Sequence, residues 1–289
     1  MFMKKLSVLL SLAAAALFAQ EAVLDHEGEV AALVFRPLSA TTAGKWGVPA
    51  EPDPVIEEPV RFTSHFQFGA SYTHARITPY GFNNYNGNLG GAQALYEFKT
   101  ADRIYGGMSL RWREGKEEGE LGSMDLRDID VQERIGYTFG RADALVSLYT
   151  GFGFRYLRQA LEPKTSAPAT FMYEEFYVPV GFLYDYQYSR NFSVGLYGVW
   201  MPQVYPTLTI EPIGGARWIL VKTLKNGRVE MPFTFGLDRF NNTTFVFKPF
   251  AEYWQDGKTV AKAVNGTALG VPRNTYLFVG IDVNICYSF

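Results

Sequence analysis

Apolar residues recur at every second position over much of this chain, most regularly over residues 274–289. There Leu277, Val279, Ile281, Val283, Ile285, Tyr287 and Phe289 alternate with Gly280, Asp282, Asn284, Cys286 and Ser288. A period of two belongs to a β-strand with one apolar and one polar face. The run is long for a soluble strand and meets the roughly 9–11 residues that a tilted strand needs to cross a bilayer. The scheme repeats upstream. Residues 62–74 set Phe66, Phe68, Ala70 and Tyr72 against His65, Gln67, Ser71 and Thr73. Residues 104–113 set Met108, Leu110 and Trp112 against Ser109, Arg111 and Arg113. Residues 127–139 set Ile129, Val131, Ile135, Tyr137 and Phe139 against Asp128, Asp130, Gln132, Arg134 and Thr138. Further strands are predicted at 92–99, 144–157, 171–186, 191–200, 229–237 and 245–254.

Short turns at 100–103, 140–143 and 186–190 alternate with longer polar loops at 78–91, 114–126, 158–170 and 255–273. Tight turns at one end and long loops at the other are the habit of a membrane barrel, whose backbone polar groups must all pair internally. With both chain ends on one side, the strand number is even. Keeping the short turns on that side and the 255–273 loop on the other calls for two more strands, at 203–211 and 216–224. The prediction is an all-β, antiparallel transmembrane β-barrel of about 12 strands over residues 62–289. Ten is the alternative, because Pro202, Pro206 and Pro212 interrupt the stretch 200–226. Glu133 breaks the pattern: it stands mid-strand on the face meant for lipid. Either a β-bulge turns it inward or it meets another subunit.

Residues 1–19 read as a cleaved signal peptide, with Lys4 and Lys5, an apolar run over 6–18 and then small residues. No other stretch nears the roughly 18 uncharged apolar residues of a membrane helix. Residues 20–61, with the Pro-rich acidic segment 51–60, are expected to form a short periplasmic arm or plug. The final strand ends on Phe289, with Tyr287 and Ile285 at the alternate positions before it. It resembles the carboxy-terminal strand of Gram-negative outer-membrane β-barrel proteins. The resemblance implies that Ile285, Tyr287 and Phe289 form the signal read by the barrel-assembly machinery. It also implies the bacterial outer membrane as location, with outer-membrane lipids, that machinery and periplasmic chaperones as partners. It singles out no subfamily, so no functional residues carry over.

Composition adds little. The 18 Tyr and 23 Phe suit aromatic girdles at membrane interfaces. A single cysteine, Cys286, speaks against a disulfide framework or a zinc cluster. A net charge of −2 without a basic cluster speaks against nucleic acid as a partner. The mean hydropathy of −0.07 looks soluble only because the two faces of each strand cancel.

Chemistry would lie on the inner face. The candidate lumen-lining acids are Glu97, Asp128, Asp130, Glu175, Asp185, Glu230, Asp238, Glu252 and Asp282; the bases are Lys99, Arg111, Arg113, Arg134, Arg155 and Lys248. In a wide barrel they would line a wet pore, the excess of acids favouring cations. In a narrow one they would pair across the interior and close it. A narrow or partly occluded lumen is expected, and with it a narrow porin-like channel for small solutes or ions. The alternatives are a non-conducting structural or adhesive surface barrel, contacting partners through 83–88 and 114–120, and a lipid-modifying enzyme. The enzyme reading is the weakest. Ser71 and His74, three apart on a strand, face opposite sides. His26 and His65 stand apart, and no G-x-S-x-G, H-E-x-x-H or phosphate loop is present. No catalytic residue, cofactor or metal is expected.

Overall fold

The structure, a computed structural model, describes residues 64–79, 84–141, 143–189, 191–211, 217–237, 242–263 and 270–289. The signal peptide and arm expected over 1–61, and Asp238, lie outside the described residues. The described residues form ten antiparallel strands. The first five are continuous: β1 (Ser64–Pro79), β2 (Tyr85–Phe98), β3 (Arg103–Gly119), β4 (Gly122–Gly140) and β5 (Ala144–Pro163). The next four are interrupted. β6 runs as Ala169–Tyr177 and Val180–Ser189, and β7 as Phe192–Trp200 and Gln203–Glu211. β8 runs as Arg217–Leu220, Gly227–Glu230 and Phe233–Gly236, and β9 as Thr243–Asp256 and Thr259–Ala263. β10 (Asn274–Ser288) pairs with β9 on one side and β1 on the other, which closes the ring. Among the described residues no helix is long and apolar enough to cross a membrane.

Ten strands replace the twelve expected first. Residues 191–200 and 203–211 are two parts of one crossing, as are 217–220 and 227–236. Proline explains the first of these misreadings; the second gap, residues 221–226, is a polar stretch without proline. Pro179, Pro202 and Pro232 stand at interruptions, where a residue without an N–H cannot extend the ladder. The chain nevertheless continues in the same direction. Across the gaps the N–H of Val178 donates to the Pro202 carbonyl at 3.1 Å and that of Met231 to the Pro249 carbonyl at 3.0 Å. Fusing two pairs of predicted strands keeps the number even.

The expected loops at 114–126 and 158–170 are also largely strand. Only residues 120–121 separate β3 from β4. Their polar composition belongs to a wall whose two faces exchange roles along its length. Near the end that carries the carboxy terminus and the short turns, here the turn end, β3 turns Ile104, Met108, Leu110 and Trp112 outward and Arg111 and Arg113 inward. Beyond Trp112 it is Glu114, Lys116 and Glu118 that face out. β4 repeats the exchange, with Arg127 and Asp125 outward and Leu126 and Met124 buried inside. Both halves keep the period of two. The far half behaves like a soluble barrel, polar outside, with an apolar core that includes Ile77, Leu89, Met124, Leu126, Leu157, Leu208, Trp218 and Leu220. This accounts for a stretch apolar on both faces: Trp218 and Leu220 fill the far core while Ile219 and Val221 are exposed. Below it, Phe68, Ile104, Ile135, Phe152 and Ile285 belong to an exposed apolar belt, edged by aromatics such as Tyr137, Phe139, Tyr287 and Phe289 at the turn end.

Inside, one small residue decides a close approach. Gly153 pairs with Tyr177, and a Cβ at Gly153 would sit 2.1 Å from the Tyr177 ring. Gly153→Ala is expected to lower stability by about 1–3 kcal/mol through overpacking. Gly90→Ala, with nothing within 4 Å of the added carbon, should leave it unchanged. Urea-unfolding midpoints in lipid vesicles check both.

Candidate functional site

Alternation places one side chain in two on the inner face, and in a ring of ten strands the opposite walls are within reach of one another. Midway along the barrel Arg111 and Arg113 of β3, Asp128 and Asp130 of β4, Arg155 of β5, Arg228 and Glu230 of β8, Lys248 and Glu252 of β9, and Asp282 of β10 converge. Glu252 is the hub. Its Oε1 lies 3.2 Å from Arg113 and 2.9 Å from Arg155; its Oε2 lies 3.0 Å from Arg228 and 3.4 Å from Arg111. Asp128 accepts two bonds from Arg155, at 2.8 and 3.0 Å, and one from Arg113 Nε at 3.0 Å. Arg228 reaches Asp282 at 2.8 Å, and Lys248 reaches Glu230 at 3.2 Å. Five cations thus meet five carboxylates, and all these side chains are buried or nearly so. Aromatic rings support the guanidinium groups. Arg228 lies 3.7 Å from the Phe250 centroid, Arg113 4.4 Å from Phe278 and Arg155 4.4 Å from Trp254.

Two smaller polar groups flank this layer. Toward the turn end Tyr105 donates to Glu97 at 2.8 Å and Tyr197 to Asp185 at 2.6 Å, while Lys99 pairs with Asp185. Arg134 stands between, its guanidinium 5.1 Å from the Tyr149 ring, with no ion pair among the described residues. A cavity lined by Arg111, Asp130, Arg134, Tyr149 and Glu230 has room only for water-sized occupants. Toward the far end the Trp254 indole N–H is shared between Glu175 at 2.7 Å and Asp256 at 3.0 Å. Tyr276 donates to Asp256 at 2.5 Å, and Gln203 to Glu175 at 2.7 Å. Above these lies the apolar core.

The structure thus turns the predicted acids and bases inward but divides them. Arg111, Arg113, Asp128, Asp130, Arg155, Glu230, Lys248, Glu252 and Asp282 form one network, Glu97, Lys99 and Asp185 a second, and Glu175 belongs to a third. Sequence reasoning missed Arg228, Asp256 and Glu117. Arg228 stands two residues before the predicted inward Glu230 and Asp256 four residues after the predicted inward Glu252, so extending the alternation would have found both. Glu117 was hidden in a supposed charged loop. Ser71 is buried inside and His74 is exposed outside, where its Nδ1 meets Asn88 at 3.0 Å; His65 meets Ser288 at 2.9 Å. Among the described residues no group of His, Cys, Asp and Glu is placed to hold a metal ion.

No protein-family model matches the sequence, and no curated protein matches it. Solved structures do match. The outer-membrane protease OmpT from Escherichia coli aligns with 80% of this chain and 97% of its own at a TM-score of 0.54 and 10% identity. The translocator domain of the autotransporter NalP from Neisseria meningitidis aligns with 80% and 91% at 0.44 and 11% identity. The toluene transporter TodX of Pseudomonas putida aligns with 81% and 92% at 0.37 and 10% identity. The fold is that of the Gram-negative outer-membrane β-barrels.

Removing the hub leaves its guanidinium groups short of a counter-charge in a dry interior. Glu252→Gln should cost about 3–5 kcal/mol. Glu162→Gln, which breaks the exposed pair with Lys116, should cost under about 1 kcal/mol. Denaturant titration of the refolded protein compares them.

Glu117, buried in the far half without a hydrogen-bond partner among the described residues, has its carboxyl pushed up to about 7 by burial. Unfolded, it titrates near 4.3. Between those values the folded chain holds a proton that the unfolded chain has lost, so stability falls as pH rises through that window. Glu117→Gln should flatten that slope and raise stability at pH 8 by about 1–2 kcal/mol. Unfolding curves from pH 4 to 8 read it directly.

Proposed function

We propose that this chain is a non-conducting outer-membrane barrel that works through its surfaces, as a structural or adhesive protein. The observation that carries the reading is the filled interior. The network around Glu252 ties β3, β4, β5, β8, β9 and β10 together across the lumen, and the apolar core stands above it. A solute would have to part several buried ion pairs and then cross tightly packed apolar side chains. The narrow channel expected first therefore has less support than the closed alternative. In this reading a cleaved signal peptide exports the chain, and chaperones and the barrel-assembly machinery insert it through Ile285, Tyr287 and Phe289, all exposed at the turn end. The turn end faces the periplasm and the far half projects from the cell. There its outward charges, among them Glu114, Lys116, Arg127 and Glu162, offer a polar surface to partners.

Reconstituted full-length protein at verified insertion should leave planar lipid bilayers electrically silent, and liposomes loaded with small sugars should not leak. Reproducible unitary conductance steps from the wild type would overturn the reading.

A further inference from the structure

Glu133 stands outside every network described above. Its pairings, to Met108 on β3 and Phe152 on β5, continue the registers on both sides without a shift, so no bulge turns it inward. Gln132 and Arg134 take the inner face, and Glu133 faces out between Val131 and Ile135, within the apolar belt. Among the described residues it has neither a hydrogen bond nor an ion pair. A carboxyl at that depth is costly unless another polar group meets it.

The surrounding wall carries two further features that fit a partner. Thr150, exposed and facing out, pairs with Ile135 and so lies diagonally beside Glu133. Gly106, opposite Ile135 on the other side, leaves open space where a side chain would stand. Around them Ile104 is 63% exposed, Ile135 61% and Phe152 70%. A small residue that admits close approach, beside polar groups that need partners, is the pattern of association inside membranes.

We propose that two copies of this chain associate within the membrane through the β3–β5 wall, Glu133 of each copy accepting a hydrogen bond from the Thr150 hydroxyl of the other. The partner must present a polar group on a lipid-facing wall at the same depth. A second copy inserted in the same direction does so by symmetry, because a two-fold axis along the membrane normal preserves depth. Such an interface is isologous, so an acceptor and a donor displaced from one another on one wall meet their counterparts twice. Hydrocarbon cannot satisfy either group.

The test uses full-length protein labelled with donor or acceptor dye and refolded into phosphatidylcholine vesicles at a series of protein-to-lipid ratios. Wild type should show energy transfer that rises to a plateau and is diluted away by lipid. Glu133→Leu puts an apolar side chain on a lipid face, so folding is retained, and heat-modifiability on gels verifies it. It should shift the equilibrium toward monomer and raise the dissociation midpoint at least tenfold, so that more protein per lipid is needed for the same energy transfer. Glu133→Gln, which keeps an acceptor, should restore most of the association, and Leu196→Ala on β7 should not change it. A wild type that stays monomeric at every ratio overturns the proposal. So does a folded Glu133→Leu protein that associates as well as wild type, or a Met108→Cys protein that, oxidised in the same vesicles, never cross-links to a second copy.

Discussion

Glu252 among four guanidinium groups is the interaction on which the rest of the interior depends. A ring of ten strands encloses too little space for bulk water, so a charge that faces inward must find its counter-charge on another strand. Equal numbers of cations and carboxylates, with aromatic rings of β9 and β10 against the guanidinium groups, meet that demand. Apolar side chains of the same volume would hold such a barrel together at least as well. The pairing adds specificity of register. Its members come from six strands, and a one-residue slip of β9 would carry Glu252 from the hub to the lipid face. Arg111, Arg113, Arg155 and Arg228 would then remain inside without it.

The position of that network follows from the exchange of faces along the wall. In the belt the outside is apolar and the inside must absorb the polar half of each strand. Past Trp112 on β3 and Ile129 on β4 the outside becomes charged and the inside becomes a conventional apolar core. The ion pairs lie on the belt side of this change, roofed by Trp254, Phe278 and the far core, which keeps water from the direction of the open loops. The prolines divide the ring in a second sense. Interruptions collect in β6 to β9, whereas β10 and β1 to β5 run unbroken. The unbroken side is a continuous wall of paired backbone, and Glu133 lies within it.

Much of this was legible in the sequence. The terminal alternation from Leu277 to Phe289 gave the period, the inward set and the parity of every earlier strand. Two things were not legible, for physical reasons. Proline signals a break in a ladder but not whether the chain reverses there, and at Pro202 it does not. Polar composition signals exposure to water but not loss of strand, so Glu114 to Glu118 looked like a loop although they continue β3 with reversed faces. Arg228, Asp256 and Glu117 were lost through those boundary errors rather than through a wrong period. The inward placement of an acid such as Glu252 was readable from its spacing. Its four partners were not, because they lie far apart in the chain and meet only once the ring closes.

Glu133 obeys the rule that governs Glu252, with one difference in where the rule can be satisfied. Inside the barrel, closure brings the walls to one another, and a carboxyl on β9 finds arginines from β3, β5 and β8 without leaving the chain. Outside, a convex wall never meets itself, so a carboxyl there has only its immediate neighbours. Met108, Phe152, Val131 and Ile135 offer no counter-charge. A partner must come from another molecule that presents a wall at the same depth. For Glu133 the unmet polar demand lies on an outer face of the wall, within the plane of the membrane, where only another molecule can meet it.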